Sequence, residues 1–391
     1  MRIPLAAPEI READIAAVTS VLRTRRLSLG PKLAEFEGAL AEYVGTRHAV
    51  AVNSGTAALH LCLHALGIRG GDEVIVPSFA FIAVANVVRY VDAMPVFADI
   101  NAETLNLDPR HIQAAITPRT RAIIVVHTFG VPAAMREIQA IADRRGLTII
   151  EDTCEALGAE YDGRSVGSLG AAGIFGFYPN KQITAGEGGA VVTSDAKLAA
   201  TVRMLRNQGR GESDDWFQHT KIGFNYRLSE MNCALALEQL NRCDATLQRR
   251  EAIARRYSEK LRSCPHIETP ALELPGRKVS WFVYAVRLEE SLSGDGRDRI
   301  VREMAARGIG CGRYFAPIHR QPAYTNEPHR CGDLSVTDAI APRMLALPFF
   351  NAISDAEIDE VCETLTKLAR QTPAEKAAGL PKNSEGPPVV L

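Results

Sequence analysis

The sequence predicts an α/β chain: a large layered domain around a mostly parallel sheet, followed by a small α+β C-terminal domain. Three observations carry this. Between about residues 49 and 193, short β-branched runs alternate with helical patterns, as they do in doubly wound sheets buried on both faces. A long helical stretch without proline follows, from about 229 to 261. All 391 residues run on without a Ser/Gly/Pro-rich linker, so two intimately packed domains are expected rather than separate modules.

Taken in order, the strands are predicted over 49–52, 73–76, 95–98, 121–126, 147–150, 173–177 and 190–193, where apolar residues run together over strand length. Helices fit over 56–66, 82–90, 133–145 and 197–205. The stretch 229–261 reads as one helix, with apolar residues at Leu235, Leu240, Cys243, Leu247, Ile253, Tyr257 and Leu261. Beyond it come strands over 281–286 and 310–315 and helices over 297–307 and 355–368, enough for a small α+β unit. The expected division is 1–245 for the large domain and 246–371 for the small one. The Pro/Lys/Glu/Gly-rich residues 372–391 read as a disordered tail.

With 45 basic and 46 acidic residues interspersed, the net charge of −1 offers no basic stripe for nucleic acid and no polybasic membrane anchor. The first residues, Met1 to Thr19, have neither the apolar run of a signal peptide nor the length of a membrane span, so a cytoplasmic protein is expected. Eight cysteines are scattered without a C-x-x-C pair and read as reduced, mostly buried thiols, with no disulfide framework and no metal site. The expected partners are small molecules or another subunit.

Ligands of open α/β sheets sit beyond the carboxyl ends of the strands, which directs attention to three places. Asn53-Ser54-Gly55-Thr56-Ala57 is a strand-to-helix turn whose free amides suit a phosphate, though helix capping alone also explains it. Glu151-Asp152 ends an apolar run, where a carboxylate could pair with a protonated ring nitrogen or simply meet solvent. Phe175-Gly176-Phe177-Tyr178-Pro179-Asn180-Lys181 leaves a strand through a proline-marked turn and delivers a lysine to the same edge. A lysine attacks an aldehyde only as the neutral amine, so a Schiff-base lysine needs a sheltered place of this kind; a lone lysine is ordinarily a solvated charge. Phosphate seat, ring-nitrogen partner and aldehyde-binding amine are together the requirements of one cofactor, pyridoxal 5'-phosphate (PLP).

These residues resemble the DegT/DnrJ/EryC1/StrS sugar aminotransferases, PLP enzymes of the aspartate aminotransferase superfamily, fold type I. The resemblance runs over nearly the whole chain: Gly30-Pro31, Val52 to Leu59, Val76 to Phe81, Glu151-Asp152 with Glu155-Ala156, Phe177 to Lys181, Gly186 to Gly189, Gly223 to Glu230, and Pro317-Ile318-His319 with Gln321-Pro322. It implies that Lys181 carries PLP as an internal aldimine, that Asp152 pairs with the ring nitrogen, and that Gly55, Thr56 and Ala57 hold the phosphate. Phe81 would stack on the ring and Glu155 would lie by its phenolic oxygen. Asn225 would reach the cofactor of the neighbouring subunit, implying a homodimer with shared active sites. Tyr178, Tyr314 and His319 would face the substrate.

Three positions depart from many relatives: Glu155 stands in place of Gln, Gly176 in place of Ser, and Leu157 in place of His. Related dehydratases carry His where this chain has Lys181, so transamination is expected: an amino group from glutamate or glutamine passing to a keto sugar linked to a nucleoside diphosphate. A keto-inositol acceptor and a non-catalytic regulator of the same fold are the alternatives. Gly163-Arg164-Ser165-Val166-Gly167 matches G-x-S-x-G but lacks a strand before and a helix after. His60 and His64, four apart on a predicted helix, have the spacing of metal ligands but no third partner, and are expected to be packed or surface residues.

Overall fold

The computed structural model describes residues 1–211 and 218–371; the tail expected over 372–391 lies outside them. All seven predicted strands of the large domain form, with ends moved by at most two residues. His48–Val52, Glu73–Pro77, Met94–Ala98, Thr120–Val126, Thr148–Asp152, Ala172–Gly176 and Gly189–Thr193 join the short Arg330–Cys331 in one eight-stranded sheet. Across the sheet the order is 48–52, 189–193, 172–176, 148–152, 120–126, 73–77, 94–98, 330–331. Only 189–193 runs against its neighbours. The other strands therefore end at a common edge. The register sets Val52, Gly189 and Gly176 in one row there, with Val126, Asp152 and Ile174 in another.

Alternation along the strands divides the core. Val50, Val52, Ile124, Ile150, Ile174 and Val191 face the helices Gly55–Ala65, Ala83–Tyr90 and Ala196–Arg206. Ile75, Val96, Ile123, Val125 and Ile149 face Pro109–Ala115 and Met135–Arg145. Each such fully buried Val or Ile contributes roughly 1.5–3 kcal/mol. Helix Pro31–Val44, which the sequence pattern did not bring out, starts on Pro31 and ends at Gly45, whose φ of 77° is the left-handed stop that glycine takes without strain. It covers the remaining end of the sheet through Phe36 and Leu40, together with Glu230–Asn241.

The single helix expected over 229–261 is two helices, Glu230–Asn241 and Cys243–Leu261, broken at Arg242 (φ −116°, ψ 17°). The two pieces serve different cores. The first packs Cys233, Ala236 and Leu240 with the sheet domain, and the second packs Ile253, Tyr257 and Leu261 into the C-terminal cluster. One straight rod could not face both, and the Arg242 guanidinium at the bend is held by Asp14 of helix Glu12–Leu22 (2.8 Å).

The C-terminal part is built on a three-stranded antiparallel sheet, Ile267–Glu268, Tyr284–Leu288 and Met344–Leu347, backed by Asp295–Ala306 and Asp355–Arg370. The strand expected over 310–315 does not form. Gly310 instead donates to the carbonyl of Ile3 (2.8 Å) and Gly312 makes an isolated bridge to Ala346, so the N-terminus takes up the edge that a strand would use. The strand expected over 281–286 starts late, at Tyr284, because the carbonyls of Trp281 and Phe282 are bound by a side chain rather than by a neighbouring strand. A shared apolar cluster of Leu5, Phe79, Phe129, Phe282, Ala285 and Met344 ties the two sheets together beside the carboxyl edge. No helix among the described residues is long and apolar enough to cross a membrane.

Candidate active site

Helix Gly55–Ala65 opens directly beyond Val52. Ser54, extended at φ −164°, caps it by accepting the amide of Ala57 (3.1 Å), which leaves the amides of Gly55 and Thr56 without a partner among the described residues. Of the three residues expected at a phosphate, Ala57 thus has its N–H already engaged. The helix start sits unusually close to the sheet. A β-carbon on Gly55 would lie 2.8 Å from Cys154 Sγ, and one on Gly189 would lie 2.4 Å from the carbonyl carbon of Ser54. Glycine at both positions is what allows a backbone cradle against the strand ends.

Glu151 and Asp152 occupy opposite faces of the strand Thr148–Asp152, as adjacent strand residues must. Glu151 is fully buried and accepts the amides of Gly167 (2.9 Å), Leu169 (2.7 Å) and Gly170 (2.6 Å). His127 Nδ1 accepts the amide of Ala133 (3.0 Å), so its proton is on Nε2, 3.1 Å from Glu151. Glu151 therefore anchors a loop. Asp152 turns the other way, its Oδ1 accepting the amide of Cys154 (3.0 Å).

Lys181 hangs on a tight turn, its amide donating to the carbonyl of Tyr178 (2.9 Å), with its side chain 16 % exposed. Its Nζ lies 3.6 Å from Glu155 Oε1 and 4.1 Å from the centroid of the Phe282 ring. Glu155 Oε2 accepts the amide of Phe129 (2.9 Å). Burial pushes the Glu155 pKa above the usual carboxylate value, with Lys181 opposing and Asp152 reinforcing the rise. Burial likewise drives the Cys154 thiol well up, Asp152 adding to it, and pushes the Tyr314 phenol up to about 12 beside Glu155. Lys181, Asp152, Cys154, Glu155 and Tyr314 thus form one electrostatic cluster.

Phe282, Gln182 and Arg250 belong to this neighbourhood and were missed from sequence, since no local motif marks them. Gln182 donates to the carbonyl of Glu155 (2.6 Å). Arg250, buried on helix Cys243–Leu261, donates to the carbonyls of Phe282 (3.0 Å), Trp281 (3.3 Å) and Lys181 (3.4 Å), and burial lowers its pKa to about 10. It clamps from behind both the lysine and the aromatic ring beneath its amine.

The other expected site residues differ in their settings. Tyr178 is half-exposed, and Phe81 is 61 % exposed. Asn225 is exposed on a segment that pairs with the chain's own Val52-Asn53, through Asn53 N to Tyr226 O (3.0 Å). His319 has both ring nitrogens engaged, Nδ1 with Ser78 Oγ (2.7 Å) and Nε2 with Asp338 (3.2 Å). His60 is buried against Tyr226 and Phe224, and among the described residues no group of three or more His, Cys, Asp or Glu could hold a metal. Gly163, with φ 75°, turns between the two-residue strands Glu160–Tyr161 and Arg164–Ser165, which is not the setting of a nucleophile elbow.

The chain is 42 % identical over 370 residues to GDP-perosamine synthase of Caulobacter vibrioides, covering 94 % of this chain and 98 % of that one. The crystal structure of S. venezuelae DesV in complex with a ketimine intermediate superposes with a TM-score of 0.85 at 39 % identity, over 92 % of this chain and 95 % of that one. Spr1654 of Streptococcus pneumoniae in its PLP form gives 0.90 at 29 % identity, over 94 % and 99 %. Residues 8–366 match the DegT/DnrJ/EryC1/StrS aminotransferase family, and the chain belongs to that family.

Proposed function

We propose that this PLP-dependent sugar aminotransferase moves nitrogen from glutamate or glutamine to a keto sugar linked to a nucleoside diphosphate, with Lys181 and Asp152 as its catalytic residues. The observation that carries the reading is the placement of the Lys181 amine, sheltered and 3.6 Å from Glu155, at the edge where Asp152 ends its strand and the helix of Gly55 begins. The residues suit PLP. Two unpartnered amides, of Gly55 and Thr56, point from a helix start packed tightly on glycines, which fits a phosphate better than a side-chain pocket would. Asn225 would complete the phosphate seat of a second subunit, Phe81 would cover the ring, and Tyr178, Tyr314 and His319 would face the sugar.

Bound there, PLP supplies an electron sink for the carbanion charge left when a C–H bond beside nitrogen breaks. Asp152, at the end of its strand, would be the partner of the ring nitrogen. The Lys181 amine, once free, is the base that lifts a proton from one carbon and returns it to another. Phe282 and Phe129 exclude water from that transfer.

The nucleotide-linked acceptor is supported by the 42 % identity to a synthase of GDP-perosamine. Exposed Phe81 and Ile222, 61 % and 88 % open, support a homodimer that shares its sites. Eight free thiols support a cytoplasmic setting. The division at 245/246 into two lobes is supported by the cluster of Ile253, Tyr257, Leu261 and Tyr284 in the second, whose residues Ile318, Tyr324, Leu334 and Arg330–Cys331 nevertheless join the core and sheet of the first. Lys181→Ala is expected to abolish both turnover and the long-wavelength absorbance of the lysine-bound cofactor; a variant with normal turnover would refute the assignment. Asp152→Ala should retain partial cofactor binding with sharply slowed proton abstraction, measured by deuterium exchange from glutamate. Offering both GDP-linked keto sugars and keto-inositols as acceptors tests the substrate class.

A further inference from the structure

A buried carboxyl group stands against the reactive lysine at a position where an amide would make the same backbone contact. We propose that Glu155 is the internal base of Lys181: its carboxylate takes the proton that the Lys181 ammonium must lose before the nitrogen can attack the aldehyde of the cofactor. This rests on the reading that Lys181 carries PLP, and it assigns this chain's own acid to the step that loads it.

The geometry restricts the group to this task. Oε1 lies 3.6 Å from Lys181 Nζ, Oε2 is pinned by the amide of Phe129 at 2.9 Å, and the main-chain carbonyl of the same residue is held by Gln182 at 2.6 Å. The Phe129 amide orients the carboxyl, and with the Glu155 side chain 8 % exposed and the lysine 16 % exposed, little water is at hand to take the proton instead. The other ionisable groups that face the pair are poor acceptors. Burial keeps the Cys154 thiol and the Tyr314 phenol protonated. Asp152 is engaged by the amide of Cys154, and its charge favours a neutral Glu155.

The proton balance closes within the pair. One Nζ–H bond breaks and one O–H bond forms, turning an ammonium and a carboxylate into an amine and a carboxylic acid. That conversion removes two charges from a buried place, where charges are costly and neutral partners are not. The amine then forms its bond to the aldehyde carbon, and the carbonyl oxygen departs as water with the two remaining amine hydrogens. Burial raises the Glu155 pKa above the ordinary carboxylate value, the direction that makes its carboxylate a better proton acceptor. A glutamine could keep the contact to Phe129 but could not take the proton.

The test follows loading of the apo-protein rather than turnover. Stopped-flow uptake of PLP at pH 7 should be slower in Glu155→Gln than in wild type by about 10²-fold, the lower end of what a placed base contributes, and should recover towards wild type as the pH approaches 9. Glu155→Asp, with the acid withdrawn by one methylene, should fall between them. An infrared difference spectrum of wild-type loading should gain a protonated carboxyl band that survives Asp152→Asn and is absent from Glu155→Gln. Equal uptake by wild type and the Gln variant at pH 7 overturns the proposal, as does a wild-type spectrum without the band. The second criterion decides even if the Gln variant does not fold. If Lys181→Ala takes up PLP with the same absorbance, it is the assignment of the lysine that fails instead.

Discussion

Replacing Gly189 by Ala tests the backbone cradle directly. The added β-carbon would fall 2.4 Å from both the carbonyl carbon and the oxygen of Ser54 and 2.5 Å from the nitrogen of Gly55. Ordinary contacts of this kind lie near 3.5 Å or beyond, so the overlap is about 1 Å against three backbone atoms. No flexible side-chain end is available to yield. Either the helix start or the strand must move, and overpacking of this order costs about 1–3 kcal/mol. The start of the helix is the freer element, so most of the cost should appear as displacement of the Gly55 and Thr56 amides and lost cofactor affinity. One to three kcal/mol corresponds to about a 5- to 150-fold rise in Kd. Titrating apo-protein with PLP and following absorbance measures it. Gly38→Ala is the control: it lies inside helix Pro31–Val44 with nothing within 4 Å of the added carbon, and should raise stability by about 0.5–1 kcal/mol without touching Kd. A Gly189→Ala protein with Kd within twofold of wild type would show that the cradle does not hold the phosphate.

Two further outcomes are expected. Arg250→Met strips donors from three carbonyls, at about 1–3 kcal/mol for each buried acceptor left alone, while relieving a buried charge that makes no salt bridge among the described residues; a net loss of about 2 kcal/mol should appear as a lowered urea midpoint, and an unchanged midpoint removes the clamp from the account. Burial, aided by His64, holds the His60 pKa below its ordinary value near 6.5, so the unfolded chain binds more protons than the folded one just below that pH. Stability is therefore complete above about pH 6.5 and falls as pH drops through the folded value. Melting temperatures between pH 7.5 and 5 should show a shallower decline in His60→Gln, and parallel curves would count against the argument.

The strands of the large domain were legible because each is buried on both faces and so reads as an unbroken apolar run. Lys181 and Asp152 stood out in the sequence because each follows a strand-like run, and the structure brings both to the same cluster of ionisable groups. What remained hidden depends on tertiary partners. The break at Arg242 has no proline or glycine to announce it and follows from Asp14, more than two hundred residues earlier. The 310–315 segment has strand-like composition, but its pairing is settled by the N-terminus. Arg250 looks like any helix cation until the carbonyls around it are placed. The engaged amide of Ala57 depends on a cap that the motif contains but does not orient.

The neighbouring acids of the strand Thr148–Asp152 share a composition and divide their duties by parity alone. A slip of one place along the sheet would turn Asp152 towards the loop that Glu151 now fastens and present Glu151 to the lysine. Every charge would still be present, yet the longer carboxylate would crowd the cleft and the shorter one would fall away from the amides of Gly167, Leu169 and Gly170. The apolar residues on either side that fix this phase, Ile149 against one helical layer and Ile150 against the other, are thereby determinants of chemistry as much as of packing.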